Sequence, residues 1–363
     1  MHIVVDAMGG DHAPDVVVQG AVQAARQFGH AITLVGDEAR VRPLLAQHDA
    51  AGLPITLVHA SQVVEMHEHT MAVKVKPDAS LNVGMRFLRD GKADAFVSAG
   101  NSGAVLAAAL FQLGRIPGIS RPALAIVYPG APNPCVLLDI GAITDPKPEM
   151  LVHNALMGVA YAECVLGIPH PRVGIISNGE EPDKGSALVR DAYRLLAASP
   201  LNFIGNVEGK DIGRGGADVV VTDGFTGNVI LKLSEGLVAF LARHLRREFT
   251  GGALNKLALA LMLPGALLML PGALLLLPTL RRLKRKVDYA EYGGALLLGV
   301  DGVVIIAHGR SNTRAIASAI RLAAQAVEGN MLQAIKTGLE RLYHTGSVTE
   351  AHMRSLRDDL RQP

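Results

Sequence analysis

The stretch DAFVSAGNSGAVLAAAL, residues 94–110, decides the fold class. Residues 93–98 form a short apolar run with aromatic and β-branched members, which predicts a buried strand. The residues GNSG at 100–103 predict a turn, and the small apolar residues after them have the length of a helix. A strand that passes through a glycine turn into a helix is the repeating unit of α/β proteins with a parallel sheet.

Four further apolar runs enter glycine-containing turns of the same kind, and each turn precedes a segment of helical pattern. They are IVVDAMGGDHAPDVVVQGA at 3–21, VGIISNGEEPDKGSALVRDAY at 173–193, DVVVTDGFTGNVILKLSEGL at 218–237 and GVVIIAHGRSNTRAIASAI at 302–320. We therefore predict a doubly wound, largely parallel sheet with helices on both faces. Its strands are expected at 2–5, 31–35, 55–58, 93–98, 123–127, 136–138, 172–176, 219–222 and 303–306.

These turns predict binding of an anion. Glycine lets backbone N–H groups approach a ligand closely, and the helix that follows directs its unpaired N–H groups toward the same space. Geometric need for glycine explains any one such turn, but five turns that also carry Asn, Ser, Lys and His favour a ligand site. Neither G-x-G-x-x-G after a strand nor G-x-x-x-x-G-K-[ST] occurs, so neither a dinucleotide nor a P-loop nucleotide is expected.

Composition excludes other classes. The 363 residues carry 35 Lys and Arg against 33 Asp and Glu, and only 4% of them are aromatic. The composition therefore argues against nucleic acid as a partner, because the chain has neither a large basic excess nor many aromatic side chains on which bases could stack. Two cysteines and the absence of a secretory pattern at the N-terminus predict a cytoplasmic protein. Cys135 and Cys164 are expected to be packing residues.

The chain resembles the acyl carrier protein:phosphate acyltransferase family of bacterial phospholipid synthesis. The resemblance rests on VVDAMGGDHAP at 4–14, GKADAFVSAGNSGA at 91–104, NGEEPDKG at 178–185, DGFTGN at 223–228 and HGRSN at 308–312. It implies a fold like that of isopropylmalate dehydrogenases and phosphate acetyltransferases. It also implies transfer of a long acyl group from acyl carrier protein to inorganic phosphate by a homodimer at the inner membrane face, passing its product to a downstream membrane acyltransferase.

That chemistry assigns roles to the turn residues. Phosphate is already largely ionised near neutral pH, so direct attack on the thioester needs no enzyme nucleophile. Lys184 would hold phosphate, His308 would orient it or protonate the departing thiolate, and Asn228 would donate a hydrogen bond. Asp6 and Asp223 are expected to shape the site, with no metal and no cofactor. The predicted substrate-binding residues are Gly9, Gly10, His12, Gly100, Asn101, Ser102, Gly103, Asn178, Gly179, Gly185, Gly224 and Gly227.

One segment departs from the α/β pattern. Residues 257–280 are uncharged and rich in Leu, and the basic run RRLKRK follows at 281–286. Three prolines argue against a straight membrane-spanning helix. We predict one α/β domain over 1–363 with a protruding helical hairpin at 236–290 that contacts the dimer partner, acyl carrier protein or an anionic membrane surface. The expected contact residues are Leu267, Leu268, Leu274, Leu275, Arg281, Arg282, Lys284, Arg285 and Lys286.

Three alternatives remain open. A short-chain phosphate acyltransferase that uses acyl-coenzyme A would have the same fold and the same need for phosphate. A dehydrogenase of the isopropylmalate type is less consistent with the sequence, which shows neither an obvious metal-binding carboxylate cluster nor a nicotinamide fingerprint. A membrane-recruited scaffold without catalytic activity is disfavoured by Lys184, His308 and the five glycine turns.

Overall fold

The computed structural model describes residues 1–130, 133–250 and 293–344. Its strands are β1 His2–Asp6, β2 Ala31–Gly36, β3 Ile55–His59, β4 Ala95–Ser98, β5 Ala123–Tyr128, β6 Cys135–Leu138, β7 Val173–Ile176, β8 Phe203–Val207, β9 Val219–Val221, β10 Ala295–Leu298 and β11 Val303–Ile306. Its helices are α1 Asp15–Phe28, α2 Glu38–Gln47, α3 Ala72–Val75, α4 Ser80–Arg89, α5 Ser102–Gln112, α6 Pro148–Cys164, α7 Ala187–Ala197, α8 Gly209–Ile212, α9 Gly224–Thr250, α10 Thr313–Glu328 and α11 Met331–His344.

All the strands belong to one sheet of 11, in the order β3-β2-β1-β4-β11-β10-β5-β6-β9-β7-β8. Seven of its ten neighbouring pairs are parallel. Leu34, Phe96 and Leu137 are among its fully buried side chains, as expected of strands covered on both faces. The predicted α/β class with a largely parallel sheet is confirmed.

The sheet contains two strands that the sequence pattern did not identify. In β8, Gly205 and Asn206 interrupt the apolar run. The strand β10 consists of four apolar residues and runs antiparallel to both of its neighbouring strands, β11 and β5. No alternation of apolar and polar residues in the sequence predicts this strand. The pairs β11/β10, β10/β5 and β5/β6 are all antiparallel, so β6, β9, β7 and β8 run opposite to β1, β4 and β11. The glycine turns therefore fall into two groups by strand direction, one after β1, β4 and β11 and the other after β7 and β9.

The chain divides into two compact units. One comprises Met1–Gly227 with Tyr289–Pro363, and the other comprises Asn228–Asp288. The predicted hairpin at 236–290 overlaps the second unit, of which the structure describes 228–250. All nine predicted contact residues between Leu267 and Lys286 lie outside the described residues, so their role stays a prediction.

Two aspartates hold the turns that follow β6 and β9. Asp139 Oδ1 accepts hydrogen bonds from the backbone N–H groups of Leu124, Gly141 and Ala142 at 2.9–3.0 Å. Its Oδ2 accepts one from Ile143 at 2.8 Å. Burial raises the pKa of the Asp139 carboxyl, and these donors offset part of the rise.

Asp223 has a simpler set of partners. Its Oδ1 accepts from the Thr226 backbone N–H at 2.8 Å, and its Oδ2 accepts from the Thr226 hydroxyl at 2.7 Å. The aspartate therefore caps the first turn of α9. The Thr226 hydroxyl can rotate and accept a hydrogen bond, whereas the partners of the Asp139 side chain are backbone N–H groups, which can only donate.

We expect the substitution Asp139→Asn to lower the free energy of unfolding by about 1–3 kcal/mol, because its NH₂ group would face a backbone N–H in place of an acceptor. The matched substitution Asp223→Asn should change it by less than about 0.5 kcal/mol, since Asn caps helices as well as Asp does. Urea unfolding of both variants measures the difference. If both variants lose the same free energy of unfolding, the four backbone donors to Asp139 do not make this residue more important for stability than Asp223.

Candidate functional site

The turns after β1 and β4 are joined through Asp6. Its carboxylate is buried and accepts from the Ser98 hydroxyl at 2.7 Å and from the Met8 N–H at 3.1 Å. Ser98 Oγ in turn accepts from the N–H of Gly100 at 3.0 Å. Burial raises the pKa of Asp6, and hydrogen bonds, including those from Ser80 and Ser98, offset part of that rise. Asp6 thus joins two glycine turns, and its role in shaping a substrate site stays a prediction.

The turn after β11 meets the turn after β1. The Asp11 N–H donates to the carbonyl oxygen of Gly309 at 2.8 Å, and Gly10 adopts a positive φ of 112° beside it. His308 is exposed at this edge, and its Nδ1 accepts from the Arg310 N–H at 3.1 Å. The predicted residues of the first, second and fifth turns are therefore neighbours.

The side chain of Asn101, a predicted substrate-binding residue, forms its hydrogen bonds with backbone groups of this chain. Its Oδ1 accepts from the Ala104 N–H at 3.1 Å and so caps α5. Its amide nitrogen donates to the carbonyl oxygens of Met66 and Glu68 at 3.0 and 3.2 Å. Both amide hydrogens are thus committed to the segment 66–68, which the sequence did not link to this turn. Asn101 positions that segment at the edge where α5 begins.

Three helices start at this edge. α5 and α10 are capped by Asn101 and Asn312, whose side chains each accept from a backbone N–H, whereas Pro14 at the start of α1 has no such cap. The first backbone N–H groups of a helix lack intrahelical partners, and its dipole is positive at that end. This edge can therefore hold an anion. The predicted residues located here are Gly9, Gly10, His12, Gly100, Asn101, Ser102, Gly103 and His308.

Lys184 lies in the other group of turns, after β7. Its side chain is exposed, and within the described residues its ammonium forms no ion pair or hydrogen bond. The loop that bears it is closed by a hydrogen bond of 2.9 Å from the Gly185 N–H to Asn178 Oδ1, and Ser186 caps α7 directly afterwards. The Lys184 stem lies against Gly179, where an added Cβ would be 2.9 Å from its Cγ.

The acidic residues near this loop have a different lysine as their partner. Ligand atoms of Glu180, Glu208 and Asp211 lie within 4.8 Å of one another. Lys210 pairs with Glu208 and lies 3.8 Å from a carboxylate oxygen of Glu180. Glu208 and Asp211 also form the capping box of α8. Lys210 thus offsets part of this negative charge, and Lys184 forms no ion pair with these three acids.

The turn after β9 has a packing reason for its glycines. The N–H of Gly224 donates to the Ile143 carbonyl at 2.8 Å. A Cβ at Gly227 would lie 1.9 Å from the Asp139 carbonyl oxygen, so only glycine fits there. Asn228 belongs to the second unit and is half-buried. The catalytic roles of Lys184, His308 and Asn228 stay predictions.

The cysteines occupy the positions expected of packing residues. Cys135 is buried in β6, and burial raises the pKa of its thiol to about 12. Cys164 is half-buried at the end of α6, and burial together with Glu163 raises its pKa as well. Neither thiol ionises readily at neutral pH, so neither environment favours a nucleophile.

Two solved structures with the same fold are described as a phosphotransacetylase and a branched-chain phosphotransacylase. A phosphotransacetylase from Streptococcus pyogenes superposes with a TM-score of 0.61 at 18% identity, over 90% of this chain and 94% of that chain. A branched-chain phosphotransacylase from Enterococcus faecalis gives 0.52 at 15% identity, over 90% and 99%. At such identities the comparison shows the fold alone.

Sequence comparison shows the family. Residues 1–334 match the family model described as fatty acid synthesis protein. Relatives named phosphate acyltransferase are 47% identical over 344 residues in Trichlorobacter lovleyi, covering 94% of this chain and 96% of the relative, and 50% identical over 338 residues in Myxococcus xanthus, covering 91% of each. The chain therefore belongs to the fatty acid synthesis protein family that includes the bacterial phosphate acyltransferases.

Proposed function

We propose that this acyltransferase moves a long-chain fatty acyl group from acyl carrier protein to inorganic phosphate, giving an acyl phosphate for phospholipid synthesis. Family membership supports phosphate as the acceptor. The observation that carries the proposal is the meeting of the glycine turns after β1, β4 and β11, where three helices begin. Such an edge suits a dianionic substrate and the oxyanion of a thioester under attack.

The acyl transfer is a direct displacement. A phosphate oxygen attacks the thioester carbonyl carbon, the tetrahedral oxyanion collapses, and the carrier thiolate leaves and takes up a proton. Lys184 binds phosphate, His308 orients it or donates the proton, and Asn228 donates a hydrogen bond. The pKa of about 12 for Cys135 supports a route without an acyl-enzyme. Burial raises the pKa of Asp6, which disfavours the charged form that would oppose a bound anion.

The donor can be tested by measuring phosphate-dependent thiol release with two thioesters of the same acyl chain. We expect the carrier-protein thioester to give a kcat/KM at least about tenfold above that of the coenzyme A thioester, since a docked protein supplies binding energy in addition to the reacting group. Phosphorus NMR identifies the acyl phosphate. A preference for coenzyme A would support the short-chain alternative, and no release with either donor would support a scaffold.

We further propose that the enzyme is a cytoplasmic homodimer that associates peripherally with the inner face of the membrane. α9 supports this, because five large apolar side chains recur on it at four-residue spacing and are exposed. Among the described helices, one segment, Gly224–Leu241, is long and apolar enough to span a membrane by length and composition. The exposed residues are Phe225, Val229, Leu233, Leu237 and Leu241.

Flotation with vesicles of anionic phospholipid tests the membrane contact. The double substitution Leu233→Gln and Leu237→Gln alters side chains that are 69% and 53% exposed, and should lower the bound fraction at least about tenfold. Ala239→Gln is the matched control, because it places the same neutral side chain on an exposed position away from this face of the helix, and it should bind as the unmodified chain does. Unchanged flotation of the double variant, with a loss of dimer in sedimentation, would show that this face contacts the partner subunit instead.

A further inference from the structure

The loop that bears Lys184 is fastened to the sheet by a buried side chain on the neighbouring strand. Asn206 lies on β8 and is 8% exposed. Its amide nitrogen donates to the carbonyl oxygen of Glu181 at 2.6 Å. The same oxygen accepts from the backbone N–H of Lys184 at 3.1 Å. One carbonyl oxygen thus links the Asn206 side chain to the Lys184 backbone.

The rest of the loop is held at its far end. The N–H of Gly185 donates to Asn178 Oδ1 at 2.9 Å, and Arg190 on α7 donates from Nη1 to the Gly185 carbonyl at 2.6 Å. Gly185 has a φ of 96°, a conformation that glycine adopts readily. These bonds fix the residue after Lys184, and the Asn206 bond fixes the residues before it.

Packing does not explain an asparagine at this place. Asn206 stands opposite Ile175 in the sheet, next to Val207, and within the described residues its Oδ1 accepts no hydrogen bond. Burying an amide with a vacant acceptor is unfavourable, so an apolar side chain would suit the β7/β8 pair better for stability alone. The bond to Glu181 is the contribution that an apolar residue could not make.

We propose that Asn206 is a positioning residue, which holds the 178–185 loop so that Lys184 presents its ammonium to phosphate. This inference rests on the proposed function, in which Lys184 binds the phosphate that attacks the thioester. Asn206 itself does not contact the substrate. Without the Asn206 amide, Lys184 is still present but can adopt other positions. Phosphate then binds more weakly, whereas kcat, which is measured at saturating phosphate, changes less.

The test is Asn206→Asp, which keeps the size of the side chain and replaces the donor with an oxygen. At saturating acyl donor, we expect the KM for phosphate to rise about tenfold with kcat within about twofold. The matched control is Asn202→Asp. Asn202 also donates its amide to a backbone carbonyl, that of His170 at 3.0 Å, but lies just before β8 at the other end of the strand. Its KM for phosphate should not change.

A double-variant cycle separates this inference from the proposed function. Lys184→Met should raise the KM for phosphate by itself, and adding Asn206→Asp should then raise it no further. An unchanged KM in Lys184→Met would overturn the phosphate role of Lys184 and the inference with it. A raised KM in Lys184→Met, with an unchanged KM in Asn206→Asp, would overturn the inference alone.

The fold of each variant is checked by its melting temperature. If Asn206→Asp does not fold, Asn206→Ala replaces it, since this change removes the donor without placing a carboxylate next to the Glu181 carbonyl. The same rise in the KM for phosphate is expected. A folded Asn206→Ala variant with the KM of the unmodified chain would contradict the proposal.

Discussion

At the turns after β1, β4 and β6, buried side-chain oxygens accept hydrogen bonds from the backbone N–H groups where each strand ends. Asp139 accepts four such hydrogen bonds, and Asp6 joins two turns through Ser98. Because a buried donor without a partner is costly, these carboxyl groups determine the path of the turns. The remaining N–H groups, at the first turns of the helices, are the ones left for a ligand.

The same arrangement resolves an electrostatic conflict. A site for a dianion that is built among aspartates and glutamates would repel its substrate if those groups faced it. Burial disfavours the charged form of Asp6, and Lys210 offsets part of the negative charge beside α8. Lys184 forms no ion pair with the acidic residues beside α8. Burial and the paired lysine therefore reduce the repulsion that these carboxyl groups would exert on a bound anion.

Local patterns predicted the elements well because they depend on neighbours in sequence. The alternation of apolar runs with helical segments predicted nine of the strands, and each of the five glycine turns leads into a helix. The reversal of strand direction at β10 and β6 was not predictable in this way, because it depends on which strands pair over long distances. For this reason the sequence did not show that the five turns follow strands of two opposite directions.

In the candidate site too, features that depend on neighbours in sequence were predicted, and features that depend on distant partners were not. The sequence identified Lys184, His308 and Asp6 as residues at or just after strand ends, and each lies there, while their roles stay predictions. It did not identify Asn206, whose importance arises from one carbonyl oxygen on a loop 25 residues earlier. Nor did it show that the amide of Asn101 is committed to segment 66–68. Polar side chains with tertiary partners cannot be recognised from spacing alone.

The most direct test of phosphate as the attacking group is the time course of thiol release with phosphate first omitted and then added. With enzyme at a concentration comparable to that of the acyl carrier protein thioester, direct displacement predicts no burst before phosphate is added, followed by release that saturates with phosphate. A burst of about one thiol per active site without phosphate would reveal an acyl-enzyme and contradict the account.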